Sequence, residues 1–212
     1  MSSNSTDPSS LNSAASDVVG LDNNNLFNCI DRDNVHGLNL MVPEDAKELI
    51  KPWDQREQTD KFADSGVDDQ IIIHVPFTQN VRIKSILLKL GRGEAAPRHL
   101  RVYANHPTIV DFADAETFKP QIDISLLEGE SHVVEYPVRV AAFASINSLS
   151  LFFSESAGEE TSRVYYIGFK GDVRELRKER DSHMDVPAAN SASSTLFDRL
   201  AEKAGGQQTT AR

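Results

Sequence analysis

The chain has one cysteine and six histidines, the side chains that most often act as nucleophiles or metal ligands near neutral pH. Cys29 lies close in sequence to His36, and a neighbouring imidazole can lower the pKa of a thiol and make it nucleophilic. No known nucleophile motif surrounds Cys29, so its context favours a buried cysteine that acts as a small apolar residue. We predict no catalytic residue.

The histidines are dispersed along the chain: His36, His74, His99, His106, His132 and His183. None forms an HxH or HxxxH pair at zinc-ligand spacing with a cysteine or carboxylate. His74 lies on the polar side of an otherwise apolar strand-like run, which favours a hydrogen-bonded structural histidine. A metal site formed by residues far apart in sequence is an alternative that the sequence does not decide. The pattern itself predicts no metal and no cofactor.

Three carboxylates cluster in the segment DSGVDD: Asp64, Asp68 and Asp69. Their oxygens could bind Ca²⁺, although the spacing does not match an EF-hand loop. The alternative, which we favour, is a solvated turn that ends one strand and begins the next.

Two further segments carry residues suited to contacts with a partner. GRGEAAPR (91–98) lacks the GK[ST] ending of a phosphate-binding loop, but Arg92 and Arg98 are charges on a loop that could orient docking or simply confer solubility. Trp53, the only tryptophan, lies in the polar run KPWDQRE. It either packs on the fold or serves as an interface anchor, with Lys51 and Arg56 as its polar rim.

The elements that would position these residues have a β pattern. From Gln70 the apolar residues alternate, which places Ile71, Ile73, Val75 and Phe77 on one side of a strand. In VRIKSILLKL (81–90) the apolar positions change from odd to even, which predicts a β-bulge near Ser85.

Further strand-like runs follow at 99–105, 120–126, 132–140, 148–155 and 163–171. Turn residues separate them, and no long amphipathic helix lies between them, so the pattern predicts a β-sandwich or barrel. A short helix is predicted in PEDAKELI (43–50).

The bulk properties exclude several classes of protein. The net charge of −10 and the pI of about 5.0 argue against nucleic-acid and anionic-membrane binding. A single cysteine forms no intrachain disulfide. The sequence has neither a signal-peptide pattern nor an apolar run long enough to span a membrane. We therefore expect a monomer of the cytoplasm and nucleus.

Four segments together resemble the PITH domain, the proteasome-interacting thioredoxin domain. They are CIDRDNVHGLNL, the run from KPWDQREQTDKF to VRIKSILLKL, LRVYANHPTIVDFADAE and VYYIGFKGD. The resemblance implies a jelly-roll-like β-sandwich similar to galactose-binding-like folds. We expect a disordered tail over 1–19, the PITH domain over 20–173, and a charged or linker-like tail over 174–212 with a possible short helix in STLFDRLAEKAGG.

In one branch of this family the domain follows a thioredoxin domain and helps attach it to the 26S proteasome. This chain has neither a thioredoxin domain nor a CxxC pair, so it resembles the stand-alone branch and redox activity is not implied. The expected function is a non-enzymatic protein-interaction module associated with the 26S proteasome, with Trp53, Arg56, Arg92 and Arg98 as partner contacts. The alternative is a small-ligand or carbohydrate-binding jelly roll.

Overall fold

The computed structural model describes residues 24–174, which form a sandwich of antiparallel strands with two short α-helices. The strands are β1 (His36–Leu38), β2 (Ala63–Asp64), β3 (Ile71–Leu90), β4 (Pro97–Ala104), β5 (Ile122–Ser125), β6 (Val134–Pro137), β7 (Ile146–Ser156) and β8 (Arg163–Val173). The helices are α1 (Asp45–Glu48) and α2 (Phe112–Thr117). The predicted all-β class is confirmed.

Strand β3 is 20 residues long, and the eight strands form one hydrogen-bonded network that divides at this strand into two layers, the first and the second sheet. Its first half pairs with β1 and β7, and β4 and β5 extend this first sheet beyond β7. Its second half pairs with β6 and β8, and β2 extends this second sheet beyond β8. The register with β7 shifts between Pro76 and Val81, where β3 passes from one sheet to the other. The sequence shows two strand-like runs here, but the backbone joins them into one strand.

The main core lies between the two sheets and takes its side chains from both halves of β3. Ile71, Ile73 and Val75 are fully buried in the first half, as the alternation predicts. In the second half the inward positions change from Ile83 to Ile86, and the register with β8 shifts between Ile83 and Ser85. The predicted bulge near Ser85 is confirmed, and it keeps apolar residues inside after the change of parity.

Helix α2 covers part of the outer face of the first sheet and was not predicted from the sequence. The Asp111 carboxylate accepts a hydrogen bond of 2.8 Å from the Asp114 amide, and the Asp114 carboxylate accepts one from the Asp111 amide. This capping box fixes the start of the helix. A second apolar cluster joins the helix to the sheet and consists of Ile72, Tyr103, Val110, Ala115 and Phe152.

The short helix predicted within 43–50 is present as α1, and the five later strand-like runs correspond to β4, β5, β6, β7 and β8. No helix within residues 24–174 is long and apolar enough to cross a membrane. Most of the two predicted tails, and the short helix predicted in the second, lie outside the described residues.

Candidate functional site

The covering loop, residues 51–62, lies on the outer face of the second sheet. Leu87 and Lys89 alternate with the core residues of β3 and so face outward, yet they are only 1% and 7% exposed. Tyr166 of β8 is also 1% exposed. Burial raises the pKa of Tyr166 to about 12. The covering loop is therefore part of the packed fold, even though its sequence is largely polar.

A buried lysine holds the two ends of the covering loop together. The Lys51 ammonium group donates hydrogen bonds to the carbonyl oxygens of Gln58 at 3.0 Å and Lys61 at 2.7 Å. Lys51 is only 5% exposed, and this burial lowers its pKa. Because two backbone carbonyls depend on one side chain, Lys51 fixes the shape of the loop rather than forming an exposed rim.

A second lysine attaches the covering loop to the sheet beneath it. Lys89 Nζ donates to the Glu57 carboxylate at 2.7 Å and to the Glu57 carbonyl oxygen at 2.8 Å. The same carboxylate accepts a hydrogen bond from the Val133 amide at 3.2 Å. Burial raises the pKa of Glu57, but these hydrogen bonds outweigh that effect and leave the pKa below its ordinary value. Glu57 thus links the covering loop to β3 and to the segment before β6.

Trp53 is half-buried, and two cationic side chains lie near its ring. The Arg56 guanidinium stacks on the Trp53 ring, 3.9 Å from its centroid, and Arg56 Nη1 donates to the Trp53 carbonyl oxygen at 2.7 Å. Lys170 Nζ lies 5.7 Å from the ring centroid and bonds the Glu135 carboxylate. These contacts fix the orientation of the ring, and the residue stays partly exposed. We call Trp53, Arg56 and Lys170 the tryptophan face.

Beside Trp53, a cleft of about 370 Å³ is lined by more basic than acidic residues. Its basic residues are Arg32, Lys47, Lys51 and Lys61, and its acidic ones are Asp33 and Glu48. Lys61 is paired with Glu48 at 2.5 Å, whereas Arg32 and Lys47 are exposed. This basic cleft gives a strongly acidic chain a local region of positive charge.

The structure brings together two of the four predicted contact residues. Trp53 and Arg56 touch in the covering loop, whereas Arg92 is exposed at the turn after β3 and Arg98 lies on β4. Arg98 Nε pairs with the Glu128 carboxylate at 2.7 Å, and both side chains are about half exposed. Arg92 and Arg98 remain predicted contacts, located on other elements than the tryptophan face.

The other chemical candidates have partners within the fold. Cys29 is buried and accepts a hydrogen bond from Gln79 at 3.3 Å, and His74 bonds Ser150 Oγ at 3.0 Å. Both contacts fit the structural roles favoured by the sequence.

The three carboxylates of DSGVDD bind different donors instead of one common centre. Asp64 forms two hydrogen bonds of 2.6 Å with Arg163, Asp68 accepts from Asn39 at 2.6 Å, and Asp69 accepts from the Ser156 amide at 2.6 Å. Within residues 24–174 no group of three or more metal-ligating side chains could hold an ion.

The buried contacts of Lys51 and Lys89 were not predicted from the sequence. Lys89 follows a run of three apolar residues in ILLKL, and a lysine in such a run signals a buried ion pair when its strand is covered on both faces. Nothing local in the sequence indicates that Lys51 closes the loop, because its acceptors are backbone carbonyl groups.

Comparisons with known proteins identify the family of this chain. The sequence model of the family described as PITH domain matches residues 17–188. PITH domain-containing protein 1 of Danio rerio is 32% identical over 164 residues, which is 77% of each chain, and that of Homo sapiens is 31% identical over 153 residues, 72% of each. The chain belongs to the PITH domain family.

Solved structures show the same sandwich in distant proteins. The CBM32-1 and CBM32-2 domains from Clostridium perfringens ZmpB superpose with a TM-score of 0.53 at 12% sequence identity. The match covers 74% of this chain and 38% of that one. At such low identity the likeness shows the fold alone, and it confirms the predicted jelly-roll type of the sandwich.

Proposed function

We propose that this chain is a non-enzymatic protein-interaction module that associates with the 26S proteasome through the tryptophan face. Membership of the PITH domain family supports an interaction module. The observation that carries the docking surface is the stacked pair of Trp53 and Arg56, held on a hydrogen-bonded loop at the surface.

The geometry of this pair suits an interface anchor. Tryptophan and arginine are the side chains most often found at the energetic centres of protein interfaces. Arg56 is fixed both by its stacking on the ring and by its bond to the Trp53 carbonyl. A preorganised pair loses little side-chain entropy when a partner binds, so more of the contact energy contributes to affinity.

Local charge favours an acidic partner surface. The basic cleft lies next to Trp53 along the chain, and Arg32 and Lys47 are exposed in it. On a protein of net charge −10, such a region orients an approaching partner and excludes partners with basic surfaces. Association should therefore weaken as the salt concentration rises, because salt screens exposed charges.

An affinity capture from native lysate tests the proposal. The tagged full-length chain should recover proteasome subunits at low salt and fewer at high salt. Trp53→Ala and Arg56→Ala should reduce recovery strongly, whereas Arg92→Ala and Arg98→Ala test the other two predicted contacts. Arg82→Ala, at an exposed arginine of β3 that is not a predicted contact, is the matched control. Circular dichroism checks that each variant is folded.

Each result of the capture has one meaning. Loss with the first two variants alone supports docking through the tryptophan face. Equal or greater loss with Arg92→Ala or Arg98→Ala moves the contact to the other predicted residues and overturns the assigned surface. No enrichment of proteasome subunits by the wild-type chain over a tag-only control overturns the partner itself.

The proposal includes a monomeric state and a location in the cytoplasm and nucleus, where proteasomes would be reached. Light scattering coupled to size-exclusion chromatography should give the mass of one chain, 23.4 kDa. Fractionation of cells should recover the protein in the cytosolic and nuclear fractions. A dimer, or recovery with membranes alone, would contradict these parts of the proposal.

A further inference from the structure

The basic cleft beside Trp53 carries an excess of positive charge. It is lined by four basic and two acidic side chains, so two positive charges are left without balance. Its volume of about 370 Å³ lies at the lower end of the range of small-ligand sites, about 300–1,000 Å³. The basic cleft therefore has room for a few side chains of a partner and favours those that carry negative charge.

Two of the cations are exposed and have no acidic partner within residues 24–174. Arg32 begins the short 3₁₀ helix Arg32–Asn34, and Lys47 belongs to α1. Neither forms an ion pair in this part of the chain, whereas Lys61 is paired with Glu48. The Arg32 guanidinium lies 4.9 Å from the centroid of the Phe27 ring, and this contact restricts its movement. Arg32 and Lys47 are thus available to bind an anion.

A third cation is buried at the wall of the basic cleft. Among the described residues, the Lys51 ammonium group bonds only the carbonyl oxygens of Gln58 and Lys61, although buried lysines are normally paired with a carboxylate. Burial lowers the pKa of Lys51, and a nearby anion would oppose this shift, because it stabilises the charged form. Attraction between charges acts over several ångström where water is scarce. An anion in the cleft needs no contact with Lys51 to be attracted by it.

The rest of the lining favours a polypeptide over a small inorganic anion. Gln55 and Gln58 are exposed, and their side-chain amides can donate to and accept from the backbone of an extended chain. Ile50 and Pro52 add apolar surface, which suits the methylene groups of a peptide side chain. A phosphate ion would use neither feature.

The charges also disfavour a nucleic acid as the ligand. Asp33 and Glu48 lie among the cations of the basic cleft, and they would repel some of the regularly spaced phosphates of a strand. The whole chain has a net charge of −10, which adds repulsion at longer range. A short segment with a few carboxylates meets the local positive charge and avoids most of this repulsion.

We propose that the basic cleft binds an extended acidic segment of a partner protein. Its carboxylates lie at Arg32 and Lys47, and an apolar residue next to them packs against Trp53. This order follows from the chain, because Pro52 lines the cleft and directly precedes Trp53. The inference rests on the proposed function, since it names the kind of segment that a docking partner presents beside the tryptophan face.

The test is a titration of the ¹⁵N-labelled full-length chain with short peptides, followed by NMR. The probe is acetyl-Gly-Glu-Asp-Glu-Leu-Gly-amide, and in its matched control Gln and Asn replace the acids. The acidic probe should shift the amide signals of Arg32, Lys47 and Gln55 in a saturable way. It should also change the fluorescence of Trp53, the only tryptophan. The control peptide should do neither, and added salt should weaken the binding of the acidic probe.

Matched variants assign the charges. Lys47→Gln and Arg32→Gln should each weaken binding about threefold, and the double variant about tenfold, as expected for exposed ion pairs. Lys47→Glu should abolish saturation, whereas Lys47→Arg should retain it. Lys119→Gln, at an exposed lysine that follows α2, is the control and should bind as the wild type does. All these side chains are exposed, so Tm without peptide should change little.

Specific outcomes overturn the proposal. Absence of saturable shifts with the acidic probe, or equal shifts with the control peptide, rejects an acidic segment as the ligand. Equal weakening by Lys119→Gln and Lys47→Gln rejects the basic cleft as the site. Binding of inorganic phosphate or of an octathymidylate at least as tightly as the peptide assigns the cleft to phosphate groups instead.

The peptide titration and the lysate capture can fail separately. Peptide binding without recovery of proteasome subunits supports the acidic segment and overturns only the proteasome as the partner. Recovery of proteasome subunits without peptide binding overturns only the role of the basic cleft.

Discussion

The outer faces of the two sheets are covered in different ways. On the second sheet the covering loop is held by charged side chains, with Lys51 closing the loop and Lys89 attaching it through Glu57. On the first sheet α2 is held mainly by apolar contacts, with Phe152 and Tyr103 beneath it. The two coverings use opposite physical means to solve the same packing problem.

The difference teaches which kind of site each face can offer. A loop fixed by hydrogen bonds keeps Trp53 oriented at the surface, where a large protein partner can reach it. A helix held by apolar contacts mainly buries the side chains beneath it. The first arrangement suits docking of a macromolecule, and the second stabilises its sheet.

The largest effect should come from the apolar covering. Phe152→Ala removes a ring that is 2% exposed, and the loss of a buried aromatic ring should lower the free energy of unfolding by about 3–5 kcal/mol. Urea denaturation measures the change. Phe118→Ala, at a ring that is 38% exposed, is the control and should cost far less.

A smaller effect is expected from the polar covering. Lys89→Met keeps the apolar volume and removes the ammonium group bound to Glu57, so it should lower the free energy of unfolding by about 2 kcal/mol. Because Trp53 is the only tryptophan, its fluorescence reports loosening of the covering loop. Lys84→Met removes a lysine whose pair with Asp172 is exposed, and it should change stability little. Equal effects of the two variants would contradict the attachment by Lys89.

Acid should affect the two faces in different pH ranges. Burial, with His36 contributing, lowers the pKa of His74 on the first sheet from 6.5. The folded state therefore binds this proton less well, and the associated stability is complete above pH 6.5 and lost as the pH falls below it. Glu57 also has a lowered pKa, here from 4.5. Its contribution is complete above pH 4.5 and is lost below that value.

Thermal unfolding across the pH range checks this separation. Relative to wild type, His74→Gln should flatten the dependence of Tm on pH below 6.5, and Glu57→Gln should flatten it only below 4.5. The Glu57 effect should be a fraction of that of Lys89→Met, because this carboxylate is 40% exposed. His106→Gln, at a partly exposed histidine, is the control. A Glu57 effect that begins near pH 6.5 would show that the two faces titrate together.

The smallest effect on stability should come from the tryptophan face itself. Arg56→Ala removes a cation–π contact that is partly exposed, and it should cost about 0.5–1 kcal/mol. Exposure of Trp53 to a neutral quencher such as acrylamide should increase, whereas Arg98→Ala should leave it unchanged. A large loss of stability would mean that Arg56 is a structural residue and would weaken the case for its role in docking.

Local patterns predicted most of the fold and less of the sites. The alternation around Ile73 and the change of parity before Ile86 follow from the need to bury apolar side chains on one face, so strands and bulge were predictable. The contact between Trp53 and Arg56 could also be predicted, because the two residues are close in sequence. The grouping of Asp69, Arg101 and Ser154 around one cleft was not predictable, since these residues are brought together only by the pairing of β3, β7 and β4.

Strand β3 has a consequence for how the domain unfolds. Within residues 24–174, β3 is the only strand with which β1 and β6 pair. Strand β1 pairs with its first half and β6 with its second half. Melting of either half would release strands of one sheet and also withdraw the extended chain that begins the other. The sandwich therefore has no independent subdomain, and its two sheets should be lost in a single cooperative step.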